Sequence, residues 1–165
     1  MSARPFIDSL DFARNGNEIS GEVPFAGMSR LLGELESPDG VLHYTVRGGV
    51  DRQDVPFLDI GMTGDCRLRC QRCLGALEHP IRIDTRLLLR DQAELDALED
   101  DEEAFDSILA EAKLDVLGML EEEILLSLPI APRHEAGDCQ AAGGENAGKG
   151  KENPFAALAN LKVVK

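Results

Sequence analysis

The sequence predicts an α+β fold: an antiparallel β-sheet able to curl toward a barrel, with a short helix near the N-terminus and a longer one over about 115–128. Three observations lead there. Residues 58–70 alternate apolar and polar without a break, as a strand with one buried and one wet face does. Ile81 to Arg90 repeat that alternation after a turn, which makes an antiparallel hairpin. Leu117, Leu120, Ile124, Leu125 and Leu128 recur at helical spacing, behind Asp115 as N-cap and before Pro129 as terminator.

The other elements follow in chain order. Glu18-Ile19-Ser20-Gly21-Glu22-Val23 alternates and reads as a strand. Phe25, Met28, Leu31, Leu32 and Leu35 fall at helical spacing and predict the short helix, ended by the turn Ser37-Pro38-Asp39-Gly40. Val41 to Arg47 is rich in β-branched and aromatic residues, hence a second strand. In the long strand, Leu58, Ile60, Met62, Gly64, Cys66, Leu68 and Cys70 take the buried face. Asp59, Gly61, Thr63, Asp65, Arg67 and Arg69 take the wet one. The acidic run from Asp91 to Glu103 has little to bury and predicts a loop or a solvated helix. Phe105 to Lys113 fits strand or helix equally. On the later helix Glu121, Glu122 and Glu123 are expected to face water at least in part. The organisation is one domain over 1–133, a flexible linker over 134–153 rich in Gly, Ala and charge, and a C-terminal segment, 154–165, for docking or packing.

At 165 residues the chain suits a single domain with an aliphatic core, since it holds no Trp, one Tyr and six Phe. It has no apolar stretch of membrane-spanning length, and Met1-Ser2-Ala3-Arg4-Pro5 opens no secretory signal. The expected location is the cytoplasm, where four cysteines are thiols or metal ligands rather than disulfides. The net charge of −14 argues against a non-specific grip on nucleic acid. Its distribution is uneven. Cys66 to Arg90 carries six arginines and two acids, about +4, so the rest of the chain totals about −18. Asp91 to Asp106 carries nine acids and no Lys or Arg.

Candidate chemistry centres on Cys70-Gln71-Arg72-Cys73, at the hairpin tip. A C-x-x-C on a turn converges two thiolates on one metal, and His134 with Cys139 can complete a tetrahedral zinc site. The alternative is that Cys70 packs as a small apolar residue and Cys73 fits a crowded turn. A redox pair fits poorly, because such motifs sit at a helix N-terminus and this one ends a strand. Cys66 belongs to the buried alternation and reads as core. Arg67, Arg69, Arg72, Arg82 and Arg86 form a basic stripe able to contact RNA phosphates or another partner. The alternative is a solvated face neutralised by the acidic run. Without interleaved aromatics there is no platform for stacking bases. The acidic run itself suits contact with a basic protein or serves solubility. No phosphate-binding glycine loop, nucleophile elbow or H-E-x-x-H points to an enzyme.

The blocks Cys70-Gln71-Arg72-Cys73-Leu74, Glu121-Glu122-Glu123-Ile124-Leu125-Leu126-Ser127-Leu128-Pro129 and Asn153-Pro154-Phe155-Ala156 occur in an order that resembles the YceD family, the large ribosomal RNA subunit accumulation proteins. The resemblance runs from about Leu58 to the C-terminus. It implies a non-enzymatic role in ribosome biogenesis and in accumulation of 23S rRNA. The implied partner is 23S rRNA, a large-subunit assembly intermediate or a basic ribosomal protein, with no membrane involved. The resemblance carries over no catalytic residue. A zinc-binding RNA adaptor is the alternative, and a thiol-dependent rRNA maturation enzyme a remoter one.

Overall fold

The computed structural model describes residues 4–98 and 106–139. The middle of the acidic run, most of the expected linker and the whole C-terminal segment lie outside the described residues. The chain order is β1 (Phe6–Ile7), α1 (Ser9–Arg14), β2 (Glu18–Pro24), β3 (Leu35–Ser37), β4 (Val41–Val50), β5 (Pro56–Arg69), β6 (Ala76–Arg90), α2 (Gln92–Asp96), β7 (Asp106–Leu109), β8 (Leu114–Asp115) and α3 (Val116–Ser127). The fold is α+β.

The main sheet runs β2-β4-β5-β6-β7, and β3 pairs with the far end of β5. All its pairings are antiparallel except β6 with β7, which is parallel. Among the described residues no pairing joins β2 to β7, so the sheet stays open. A separate two-stranded ribbon pairs β1 with β8.

The β5–β6 hairpin is the spine, in register from Phe57↔Leu88 to Arg69↔Ala76. Every even position from Leu58 to Cys70 is buried, as the alternation predicts. That face meets Leu42 and Val46 of β4, Ile81, Leu87 and Leu89 of β6, and Val116, Leu120 and Ile124 of α3 in one core. Burying an aliphatic side chain of this size contributes roughly 1.5–3 kcal/mol, so this single layer supplies most of the driving force.

Phe25 to Leu35 is not the helix its spacing predicts. It forms two 3₁₀ turns, Phe25–Gly27 and Leu31–Gly33, and then β3. Both turns end in a glycine, which disfavours a longer helix. Phe25, Met28, Leu31 and Leu35 are nonetheless all buried, because a 3₁₀ spacing of three also gathers them on one side. The N-terminal helix is instead α1, capped by Asp8, whose carboxylate accepts the Asp11 N–H. It presses Phe12 and Ala13 onto β4 at Gly48, where a Cβ would stand 2.6 Å from the Phe12 carbonyl oxygen.

The ambiguous stretch after Phe105 resolves as β7, a strand. The acidic run begins as α2, an exposed helical turn closed by a capping box between Asp91 and Glu94. The later helix lies where predicted, with Asp115 accepting the Gly118 N–H. Glu121 departs from expectation: it is buried, at 2% exposure. Its Oε1 accepts the backbone N–H groups of Arg30 at 2.6 Å and Leu31 at 2.9 Å, which fixes the second 3₁₀ turn to α3.

Candidate metal centre and arginine face

The tip of the β5–β6 hairpin is built from backbone hydrogen bonds. The Cys70 N–H donates to the Gly75 carbonyl and the Leu74 N–H to the Cys70 carbonyl, both at 2.9 Å. The turn puts Leu74 at φ +62, in the left-handed region. A strap following α3 comes back to this tip, where the Gln71 N–H donates to the Pro132 carbonyl at 2.8 Å. The strap places His134 and Cys139 beside Cys70 and Cys73.

The four ligand atoms, three Sγ and one imidazole nitrogen, lie within 4.8 Å of one another. Cys70 Sγ is 3.7 Å from Cys139 Sγ. His134 Nδ1 is 3.4 Å from Cys73 Sγ and 3.6 Å from Cys139 Sγ. Zinc bonds of about 2.3 Å to sulfur and about 2.0–2.1 Å to nitrogen set tetrahedral edges of about 3.8 Å between sulfurs and about 3.5 Å between sulfur and nitrogen. The group is close enough to hold a metal ion. His134 Nε2 lies 2.8 Å from the Ala76 carbonyl oxygen, which accepts its proton and leaves Nδ1 turned toward the thiols.

The electrostatics favour the thiolate at Cys70 and Cys139 and the protonated form at Cys73 and His134. The Cys70 thiol is held down to about 5, first by the Cys73 N–H and further by the N–H groups of His134 and Arg72. Cys139 is also lowered: burial works against its thiolate, but Arg72 and His134 outweigh it. Cys73 is raised, because burial and the neighbouring Cys70 and Cys139 sulfurs outweigh the Gly75 N–H. His134 is raised, chiefly by its hydrogen bond to Cys139 and then by the Ala76 carbonyl. Cys66 stands apart in the core, its thiol pushed up to about 11 by burial.

Arg72 belongs to this centre rather than to the strand face. Its Nε donates to Cys139 Sγ at 3.0 Å, and its Nη2 to the carbonyls of His134 and Glu135. It therefore fastens the strap at three points.

The remaining arginines do share the outer face of the sheet, but their charge is met across the strands. Arg67 pairs with Glu78 at 2.8 Å. Arg86 grips Asp59 with two N–H groups and lies 3.7 Å over the Phe57 ring. Arg82 reaches Asp65 at 3.4 Å and bonds the Gly64 and Ile81 carbonyls. Arg47 pairs with Glu18 at 2.6 Å. Arg69 is exposed, and among the described residues its guanidinium has no ion pair. The acidic run is the expected source of this neutralisation; among the described residues the partners are instead directly opposed carboxylates, in the register Asp59↔Arg86 and Arg67↔Glu78. Among these rows lies a shallow depression floored by Gly61 and flanked by Thr45, Thr63 and Asp84.

The four Cys and His side chains that the sequence singles out are brought together at the tip, and the arginines it singles out lie on the sheet face apart from Arg72. Sequence reasoning missed the Ala76 carbonyl, the Pro132 tether and the role of Arg72, none of which leaves a mark on spacing. No helix among the described residues is long and apolar enough to cross a membrane.

Residues 58–162 match the family described as Large ribosomal RNA subunit accumulation protein YceD. A protein of that name from Haemophilus influenzae is 29% identical over 165 aligned residues, covering 94% of each chain. No solved structure gives a significant match.

Proposed function

The chain belongs to the YceD family of large ribosomal RNA subunit accumulation proteins, and from that premise we propose that it is a non-enzymatic factor of large-subunit biogenesis, acting in the cytoplasm on 23S rRNA or on an assembly intermediate. The observation that carries the reading is the Cys70, Cys73, His134 and Cys139 group, which fastens a strap onto the hairpin tip beside Arg69. In this reading the group holds zinc and serves as a structural knuckle. All four donors are engaged, so no position is left open for a catalytic water. What zinc supplies is a fixed tip. The chain's own residues supply the contact: Arg69 foremost, with Arg67 next along the strand and Arg82 and Arg86 farther down the same sheet face, and Arg72 holding the strap in place.

The zinc part is tested by metal analysis of protein purified without added zinc and with a reducing agent. One zinc per chain is expected, and a stoichiometry near zero ends it. The RNA part is tested by reversing Arg67 and Arg69 to Glu and measuring rRNA binding at several salt concentrations. Binding should fall and its salt dependence should flatten. Unchanged binding and slope would sink the RNA contact.

A second reading has its own observation. Cross-strand acids neutralise most of the sheet face, and the whole chain is at −14. Such a surface suits a basic ribosomal protein better than a phosphate backbone. A pull-down with and without ribonuclease separates the two. Partners lost on treatment mean RNA; basic proteins that persist mean the second reading. In both, the segment 154–165 is proposed as a docking or packing element after the linker.

A further inference from the structure

A groove of about 330 Å³ runs between β7 and the first half of α3, away from the hairpin tip. Its lining includes Ile108, Leu114 and Met119, with Leu109 at the edge, 36% exposed. Gly118 lines it too, so that turn of α3 puts no side chain into the space. Glu111, Asp115, Glu122 and Glu123 complete the lining. Against these four acids the lining offers one cation, Arg30, and it is already bonded to Glu122 at 2.6 Å. Asp115 is engaged by the Gly118 N–H and by Arg4.

Glu111 and Glu123 have no ion pair among the described residues. Glu123 is half-buried and feels the like charges of Asp106 and Glu122. The nine-acid run from Asp91 to Asp106 leads straight into β7. An apolar lining edged with unmatched carboxylates is complementary to one kind of surface: an aliphatic side chain flanked by cations. Nucleic acid would bring phosphates against this rim, and a second copy would bring another −14.

We propose that this groove docks a basic polypeptide segment of a partner protein, with an aliphatic residue seated among Ile108, Leu114 and Met119 and its neighbouring Lys or Arg on Glu111 and Glu123. The proposal rests on the second reading above, in which the protein holds a basic partner, and gives that partner a seat.

The test uses the full chain and a short fluorescent peptide alternating lysine with leucine, read by anisotropy. The double variant Glu111→Gln with Glu123→Gln should weaken binding about five- to tenfold, the range expected when two rim charges are removed. Its urea midpoint should not fall, which excludes misfolding as the cause. Glu94→Gln with Asp96→Asn in α2 should bind as the unmodified chain does. Equal affinity in the groove variant, with loss in the α2 variant, overturns the groove and leaves the second reading standing. No binding by the unmodified chain overturns both. Binding confined to a peptide copying residues 154–165 overturns the partner in favour of an internal occupant.

Discussion

Glu121 Oε1 accepts the backbone N–H of Leu31 at 2.9 Å across 90 residues of sequence, and both residues are buried. The bond ties the 3₁₀ turn that covers one side of the core to the helix that covers the rest. Glu121→Ala leaves the Arg30 and Leu31 N–H groups without their acceptor. An unsatisfied buried donor costs about 1–3 kcal/mol, so a loss of about 2–4 kcal/mol is expected for the pair. Glu121→Gln keeps one acceptor oxygen and should lose about half as much. Urea unfolding of the three proteins checks the order. Equal stability of the alanine variant would refute the tie.

Gly48 is set by contact rather than by backbone freedom. A Cβ there would meet the Phe12 carbonyl at 2.6 Å and the Ala13 Cα at 2.7 Å, both backbone atoms that cannot swing aside. Gly48→Ala should therefore lift α1 from β4 and cost about 1–3 kcal/mol, as overpacking does. Hydrogen exchange at Phe12 and Ala13 should speed up with it. An unchanged thermal midpoint would count against this packing.

The hairpin, the two strands before it and α3 were legible because each buries one face of a regular period. From Leu58 to Cys70 the burial follows the alternation residue by residue. The Phe25–Leu35 segment misled for the same reason. Spacings of three and four serve a 3₁₀ turn as well as an α-helix, and the deciding bonds come from Glu121, far away in sequence. The triple glutamate looked like a wet face, and periodicity gives no sign that one of the three would turn inward as an acceptor. The four candidate ligands were legible as a set because Cys and His are few, but the strap that brings them together is held through the carbonyls of Pro132 and Ala76, which any residue supplies.

Glu123 makes a pH prediction. Burial first, then Asp106 and Glu122, raise its folded pKa above the ordinary carboxylate value. A group raised in the folded state holds its proton longer there, so the ionised form costs stability, and that cost grows as pH rises through the folded pKa. Glu123→Gln removes the cost. It should stabilise the protein at pH 7, by about 0.5 kcal/mol or less because the site is only half-buried, and the gain should vanish as pH falls below the folded value. Thermal midpoints of both proteins from mildly acid to neutral pH, spanning the usual carboxylate range and above, measure it. A gain that grows on acidification would contradict the sign.

Arg72 should tune metal affinity without being a ligand. Three thiolates and a neutral imidazole around a divalent ion leave one negative charge, and the Arg72 guanidinium lies 3.0 Å from Cys139 Sγ to offset it. Arg72→Gln should weaken zinc binding about 10- to 100-fold, the usual effect of losing an outer partner of a ligand. Arg72→Lys keeps the charge but not the fork to the His134 and Glu135 carbonyls, and should fall between. Competition with a chromophoric chelator reads all three affinities. Equal affinities would mean that the N–H···S contact is incidental.

The paired arginines lead to a test of which partner the sheet face suits. If Asp59 and Glu78 mask Arg86 and Arg67, then Asp59→Asn with Glu78→Gln unmasks two guanidiniums and makes the face more positive by two charges. Affinity for rRNA should rise at low salt, and the slope of log affinity against log salt should steepen by about 1–2. The exposed Arg67–Glu78 pair is worth about 0–1 kcal/mol, and losing the part-buried, two-pronged Arg86–Asp59 pair should cost more than that, so urea unfolding of the variant accompanies the binding series. Filter binding at a series of salt concentrations gives the slope. A steeper slope means that RNA approaches this face and that the native acids hold its affinity down. An unchanged slope means that rRNA, if bound, is bound elsewhere, which leaves the hairpin tip around Arg69 as the contact.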